Sequence, residues 1–395
     1  MALGCRAGLG CFTMARLPEP NALTFPDEQQ YWALAQSLHE GRGLIGEFGH
    51  RADRMPLYPA MLSPVAGLRH GVVIARVGQW IVGALGAVAV ALLGTRLASW
   101  RAGLTAGLIV ACDPGLVGSA GLLLTETLFV TLLAWWWLIG WPLGQRGHVG
   151  RWLAVGVLAA AAVYARPSTV ILVPLWSAWI WGRRRFAWQA AAGPAFVIAF
   201  VVLSLAPWGY RNLQVTGHWR WLTTRAGISL YDGVRPGATG ASDLGDVKDS
   251  PAVRGLSEHA WDRHFSDAAW QAMRDDPGRI VRLGLVKLAR TWSPFLHADE
   301  LGAPVVRLTF AVWSFLFYSA VGLGLWAYRK HVAEWMGLLL PTVMICVLHF
   351  FYVGSVRYRL GAIPALSILA ALGVLWAANR LFGRRDDGQP ASQPA

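Results

Sequence analysis

Charged side chains are scarce in this sequence. They make up 14% of the chain, against about 25% in an ordinary soluble domain, and that shortfall excludes an ordinary soluble enzyme. Cysteine is scarce too. Cys5 and Cys11 lie near the start, Cys112 and Cys346 lie inside apolar runs, and no pair has metal-ligand spacing, so no disulfide framework is expected. There is no Walker loop, no Gly-x-Ser-x-Gly elbow, no internal repeat and no separate soluble domain for a nucleotide. Whatever reacts is not supplied through a cytosolic nucleotide site. Gly41, Gly43 and Gly46 spell the dinucleotide fingerprint, but no hydrophobic strand precedes them and no second βαβ half follows, so the match is accidental. A secretory signal is not expected, because residues 1–17 carry Arg6 and Arg16 and lack a small-residue cleavage site.

What is abundant is apolar surface. Hydrophobic residues make up 55% of the chain, and the 22 tryptophans outnumber the 9 tyrosines. Indole favours the boundary between lipid and water, so this composition belongs to a membrane protein. The net charge of +13 comes from 35 basic and 22 acidic residues. In a membrane protein such residues set orientation before they bind anything, so no nucleic-acid partner is inferred. Apolar runs near the length of about 20 residues that a bilayer requires fall at 72–94, 102–118, 120–141, 152–165, 168–182, 188–207, 304–328, 334–353 and 360–382. The shorter ones, interrupted at Asp113-Pro114 and Arg166-Pro167, read as helices that end within the membrane depth, shielded by their neighbours.

Lys and Arg enrichment marks short cytoplasmic connections. Arg96 and Arg101, Arg146 and Arg151, Arg183 to Arg185, Arg329 and Lys330, and Arg380 with Arg384 and Arg385 fall at every second turn. The expected organisation is therefore a truncated first helix at 1–17, a first extracytoplasmic loop at 18–70, membrane helices over 71–207, and a large extracytoplasmic loop at 208–303 with an amphipathic helix near 277–292. C-terminal membrane helices follow over 304–382, and then a cytoplasmic tail at 383–395. The implied location is the cytoplasmic, or inner, membrane.

Polar groups that are costly to place converge on the extracytoplasmic side. Phe25-Pro26-Asp27-Glu28-Gln29-Gln30-Tyr31-Trp32 opens an amphipathic helix with an acidic pair. Thr24 as cap and two carboxylates at the positive dipole end explain this structurally. The same geometry fixes a base, or a cation ligand, beside the membrane. Arg54-Met55-Pro56-Leu57-Tyr58-Pro59 stiffens the backbone around a guanidinium suited to phosphate, although an arginine here also reads as snorkelling to the interface. Glu126 opens an apolar run, where a central charge would cost roughly 2.5–3.5 kcal/mol. It needs a polar cavity or a partner such as Arg166. Arg211-Asn212 and Arg357-Tyr358-Arg359 lie directly outside expected spans, the wrong side for arginines that set topology. His349, in an apolar helix, reads as a satisfied core residue rather than a ligand.

In this order the motifs resemble the polytopic glycosyltransferases of the C-type fold, specifically the protein O-mannosyltransferase and aminoarabinose-transferase group. The carriers are Asp27-Glu28 with Tyr31, Arg54-x-Pro56-x-Tyr58-Pro59, Thr125-Glu126, Arg166-Pro167, Arg211-Asn212 and Tyr358-Arg359. The resemblance covers nearly the whole chain. It implies an all-α bundle of about 9 to 11 membrane helices with an extracytoplasmic catalytic face. The implied reaction moves a sugar from a polyprenyl phosphate to an extracytoplasmic lipid, glycan or protein acceptor, usually with inversion.

On that expectation Asp27 and Glu28 are the catalytic pair, Asp27 as general base and Glu28 as cation ligand or sugar contact. Arg54, Arg211, Arg357 and Arg359 hold the donor phosphate. Tyr58, Glu126, Arg166, Asn212 and Tyr358 line the substrate cavity. No cofactor is identified; a divalent ion is compatible with such a site, but no residue spacing specifies one. A lipid-sugar transporter would also need buried charge, but it needs access from both sides and commonly shows paired repeats. A non-catalytic membrane scaffold is the remaining alternative.

Overall fold

The computed structural model describes residues 1–14, 19, 21–144, 148–248, 250–297 and 304–383. Arg146 and the expected tail beyond residue 383, with Arg384 and Arg385, lie outside the described residues. Among the described residues every regular element is helical: α1 (Ala2–Met14), α2 (Pro26–His39), α3 (Leu57–Ala66), α4 (Gly71–Leu97), α5 (Trp100–Cys112), α6 (Pro114–Ser119), α7 (Glu126–Gly140), α8 (Val149–Ala165), α9 (Leu172–Gly182), α10 (Ala192–Thr216), α11 (Ala226–Val234), α12 (Gly245–Lys248), α13 (Glu258–Asp275), α14 (Pro277–Thr291), α15 (Pro304–Ala327), α16 (Val332–Phe351) and α17 (Ile363–Phe382).

Among the described residues five helices are long and apolar enough to cross a bilayer: Gly71–Leu97, Glu126–Leu143, Trp188–Thr216, Pro304–Ala327 and Ile363–Phe382. Shorter apolar helices at Leu57–Ala66, Trp100–Cys112, Val149–Ala165 and Trp335–Phe351 pack among them. The chain is a multi-pass membrane protein. Glycine permits the closest crossings, as is usual where helices associate within lipid. A Cβ at Gly324 would strike the Leu369 carbonyl, and one at Gly373 the Ala320 carbonyl, so α15 and α17 meet backbone to backbone. Trp136 and Trp176 are fully buried, with ring centroids 5.6 Å apart. Indole therefore fills the core of this bundle as well as marking its boundary.

Proline sets the breaks. Asp113 caps α6 by accepting from Leu116 N–H at 2.9 Å, and Pro114 opens that helix, which splits the apolar run expected at 102–118. Arg166 precedes Pro167 and takes extended geometry (φ −140°, ψ 110°), so α8 ends there and the arginine turns sideways. One expected boundary moves. The run expected to stop at 207 continues as α10 to Thr216, with Pro207 inside it and Gly217 closing it at φ +75°. Arg211 and Asn212 are thus helical rather than loop residues.

The ends of the bundle differ. At one end Arg96 donates to Leu138 O (3.1 Å) and Arg183 to Trp141 O (3.0 Å). The other end carries a layer built from α2, α3, α11, α13 and α14. Glu258, at the start of α13, accepts from the backbone N–H groups of Arg51 (2.7 Å) and Ala52 (2.8 Å), and Thr224 N–H donates to Ala52 O (3.0 Å). The segment after α10 therefore grips the loop before α3, and Arg54 sits on that loop.

Candidate active site

Three arginines and two carboxylates meet at the layered end. Asp27, on the first turn of α2, pairs with Arg54 (2.9 Å) through one oxygen and with Arg357 (2.8 Å) through the other. Arg357 reaches past it to Glu126 at the start of α7 (2.8 Å), and Glu126 also faces Arg166 (3.5 Å). The order is Arg54, Asp27, Arg357, Glu126, Arg166, one net positive charge over five groups. Aromatic rings brace the guanidiniums: Arg54 lies 5.0 Å from the Tyr31 centroid, and Arg166 and Arg357 lie 5.7 and 5.6 Å from that of Tyr358. Tyr358 stacks in turn on His349 (4.2 Å, 12°). His349 also meets Val353 O at 2.7 Å, so it has structural partners.

Burial alone would raise the Asp27 carboxyl, but the guanidiniums of Arg54 and Arg357 hold it well below the usual carboxylate range. Its neighbour Asp53 behaves in the opposite way. Burial dominates there and pushes the acid up, against the opposing pull of Arg54 and of Arg225, 3.8 Å away. Gln30 links Arg54 to Glu47, donating to that carboxylate at 2.9 Å. Asp53, Glu47 and Arg225 were not singled out in the sequence. Arg225 does carry the signal that marked Arg211, a guanidinium on the side where arginines do not set topology.

Not every expected site residue joins this cluster. Glu28 has no solvent exposure. One oxygen accepts from Thr24 N–H, Thr24 Oγ1 and Phe25 N–H (3.1–3.2 Å), and the other from Leu123 N–H (2.8 Å), with Arg76 at 3.5 Å. It staples the start of α2 to α4 and to the turn before α7. The cap expected of Thr24 is reversed: Phe25 is the N-cap, and Thr24 donates to Glu28. Tyr58 is buried and donates to Gln79 Oε1 (2.8 Å). Asn212 is buried and donates to Arg220 O and Leu222 O, holding the chain that leaves α10. Arg211 bonds Arg51 O and lies over Trp208. Arg359 points into the bundle, bonded to Ser293 O, Tyr318 Oη and Ser314 Oγ.

Among the described residues no group of three or more His, Cys, Asp or Glu is placed to hold a metal ion. The two carboxylates of the cluster are instead taken up by arginine. This arrangement can bind a phosphate through guanidiniums already oriented beside a carboxylate, at the rim of an apolar bundle suited to a lipid tail.

No protein-family model and no curated protein matches the chain. Solved structures do. The apo oligosaccharyltransferase of Archaeoglobus fulgidus superposes with a TM-score of 0.56 at 13% identity, over 98% of this chain and 52% of that one. Archaeal oligosaccharyltransferase AglB from Archaeoglobus fulgidus, in complex with an inhibitory peptide and a dolichol-phosphate, gives a TM-score of 0.50 at 15% identity, over 92% and 48%. ArnT from Cupriavidus metallidurans bound to undecaprenyl phosphate gives a TM-score of 0.41 at 15% identity, over 91% and 75%. The chain spans about half the length of the archaeal enzymes it matches. At such identities the likeness shows the fold alone: the chain shares its helical architecture with about half the length of these archaeal oligosaccharyltransferases.

Proposed function

We propose that this chain is an integral-membrane glycosyltransferase of 9 to 11 spans that moves a sugar from a polyprenyl-phosphate donor to an extracytoplasmic acceptor, with inversion. The observation that carries the reading is Asp27 held between Arg54 and Arg357 at the layered end of an apolar bundle. Arg54, Arg357 and Arg166 receive the donor phosphate, and the lipid tail runs along the bundle. The phosphate brings its own negative charge and competes with Asp27 for the same guanidiniums. As they turn to it, the Asp27 carboxylate is freed, and its basicity rises toward what is needed to take the acceptor hydroxyl proton. That hydroxyl oxygen attacks the anomeric carbon from the face opposite the phosphate, the bond to the phosphate oxygen breaks, and the prenyl phosphate leaves with its charge on the arginines. Glu126 keeps Arg357 and Arg166 aimed at the leaving group. The acceptor is a lipid, glycan or protein on the exterior of the inner membrane.

Purified protein in liposomes, given a radiolabelled prenyl-phosphate sugar and an extract of envelope acceptors, is expected to transfer the label. A deletion strain is expected to accumulate the same prenyl-phosphate sugar. Transport of intact donor across the liposome without transfer would replace this reading with a transporter.

Sidedness gives a separate expectation. With the native cysteines replaced by serine, Gly245→Cys should react with an impermeant maleimide in intact spheroplasts, while His148→Cys should react only after lysis. The reverse pattern would place Asp27 and its arginines in the cytosol.

A further inference from the structure

The turn that presents Arg357 follows α16 directly, and a residue far from it in sequence holds its base. Lys287, in the C-terminal third of α14, is 0% exposed. Among the described residues no carboxylate pairs with it. Its Nζ donates to Gly233 O (3.0 Å) and Phe351 O (2.7 Å), carbonyls in the last turns of α11 and α16. The negative ends of two helix dipoles thus converge on one ammonium.

The backbone segments here approach one another closely. A Cβ at Gly354 would strike the Lys287 carbonyl, and one at Gly233 the Phe351 carbonyl. Gly354 N–H donates to Gly240 O at 2.8 Å. Burial pulls the Lys287 amine down to about 8. A methionine would fill the same volume without that desolvation cost, so packing alone does not account for a lysine at this position.

We propose that Lys287 is a positioning residue for Arg357: through Phe351 O and the close contact at Gly354 it fixes how the turn over 352–357 offers its guanidinium to Asp27 and Glu126. The kinetic part of the test rests on the proposed glycosyl transfer; the geometric part does not.

Lys287→Met removes the donor at constant length, and Gly354→Ala pushes the same turn from the other side. Both should raise the donor KM about tenfold while kcat stays within about threefold, the pattern of lost binding common to the ground and transition states. Hydrogen exchange should quicken at 352–358 and remain unchanged around Glu28. The two substitutions combined should cost less than their sum, because both act on the placement of one turn. Lys287→Arg, which keeps a cationic donor, should recover part of the donor affinity. A lowered unfolding temperature with unchanged donor KM and unchanged exchange at 352–358 would reduce Lys287 to a stability role and overturn the proposal. Should Lys287→Met fail to fold, Lys287→Arg, which moves the donor against the same two carbonyls, is read by donor KM and by exchange at 352–358, and no change in either overturns the proposal. Should the wild-type protein transfer no sugar, the functional reading fails, and exchange at 352–358 still decides the role of Lys287.

Discussion

Asp27→Asn is expected to lower sugar transfer by about 10² to 10⁴, the usual worth of general-base catalysis, while the protein still folds and inserts. Asparagine keeps the side-chain shape, and its carbonyl oxygen still accepts from one of the two guanidiniums. The other guanidinium then faces an amide N–H₂, and no group remains to take a proton. The stability cost is small by comparison. The Asp27 side chain is 30% exposed, and ion pairs with this much solvent contact contribute about 1 kcal/mol or less each. Glu28→Gln is expected to do the opposite. It removes charge from a fully buried carboxylate with donors on both oxygens, so the yield of folded protein should fall while turnover per folded molecule is retained. Turnover per folded molecule that survives Asp27→Asn would remove Asp27 as the base and leave Glu126 to be tested.

The sign of the pH dependence follows from the same arginines. The folded Asp27 carboxyl lies below its ordinary value. Its contribution to stability is therefore complete above the unfolded carboxylate value of about 3.9, and is lost only as pH falls through the lower, folded value. Thermal unfolding followed down to about pH 4 should therefore show wild type and Asp27→Asn losing stability in parallel.

Much of this molecule is legible in the sequence, because membrane helices are long apolar runs and prolines interrupt them where Asp113-Pro114 and Arg166-Pro167 stand. The Arg166–Glu126 pair was also readable, since a carboxylate opening an apolar run needs a partner nearby. Other features depend on three-dimensional direction, which spacing does not carry. Asp27 and Glu28 are neighbours on one helical turn, and successive residues there point about 100° apart. One therefore faces the arginines, while the other turns into the fold. Arg357 and Arg359, separated by one residue, diverge in the same way, toward Asp27 and toward Ser314 respectively. The helical stripe of α13, with Trp261, Phe265, Ala269 and Ala272 inward, is carried by its period within the long loop. Lys287 offered no signal at all, because only the folded chain brings it to Gly233 and Phe351.

Arg357→Ala should be the most damaging substitution to the fold of the cluster. It removes from Glu126, whose side chain is 2% exposed, a partner at 2.8 Å, leaving among the described residues Arg166 at 3.5 Å and the Thr125 hydroxyl at 3.5 Å. Orphaning one member of a buried pair typically costs about 3–5 kcal/mol. The Arg357 side chain itself is 31% exposed, so screening should bring the cost to the lower end of that range, about 3 kcal/mol. Adding Glu126→Gln removes the stranded charge, and the double variant should regain most of the stability lost by the single one. It should not regain donor affinity, because the guanidinium that meets the phosphate is still missing. Arg357→Lys should fall between the two, since an ammonium is a point charge and does not span Asp27 and Glu126 as a planar fork does. Unfolding temperatures and donor titrations on the four members of the Arg357 and Glu126 cycle separate these effects. Strict additivity of the two stability losses would mean that the 2.8 Å pair is uncoupled, and Glu126 would then have to be satisfied by Arg166 and the Thr125 hydroxyl.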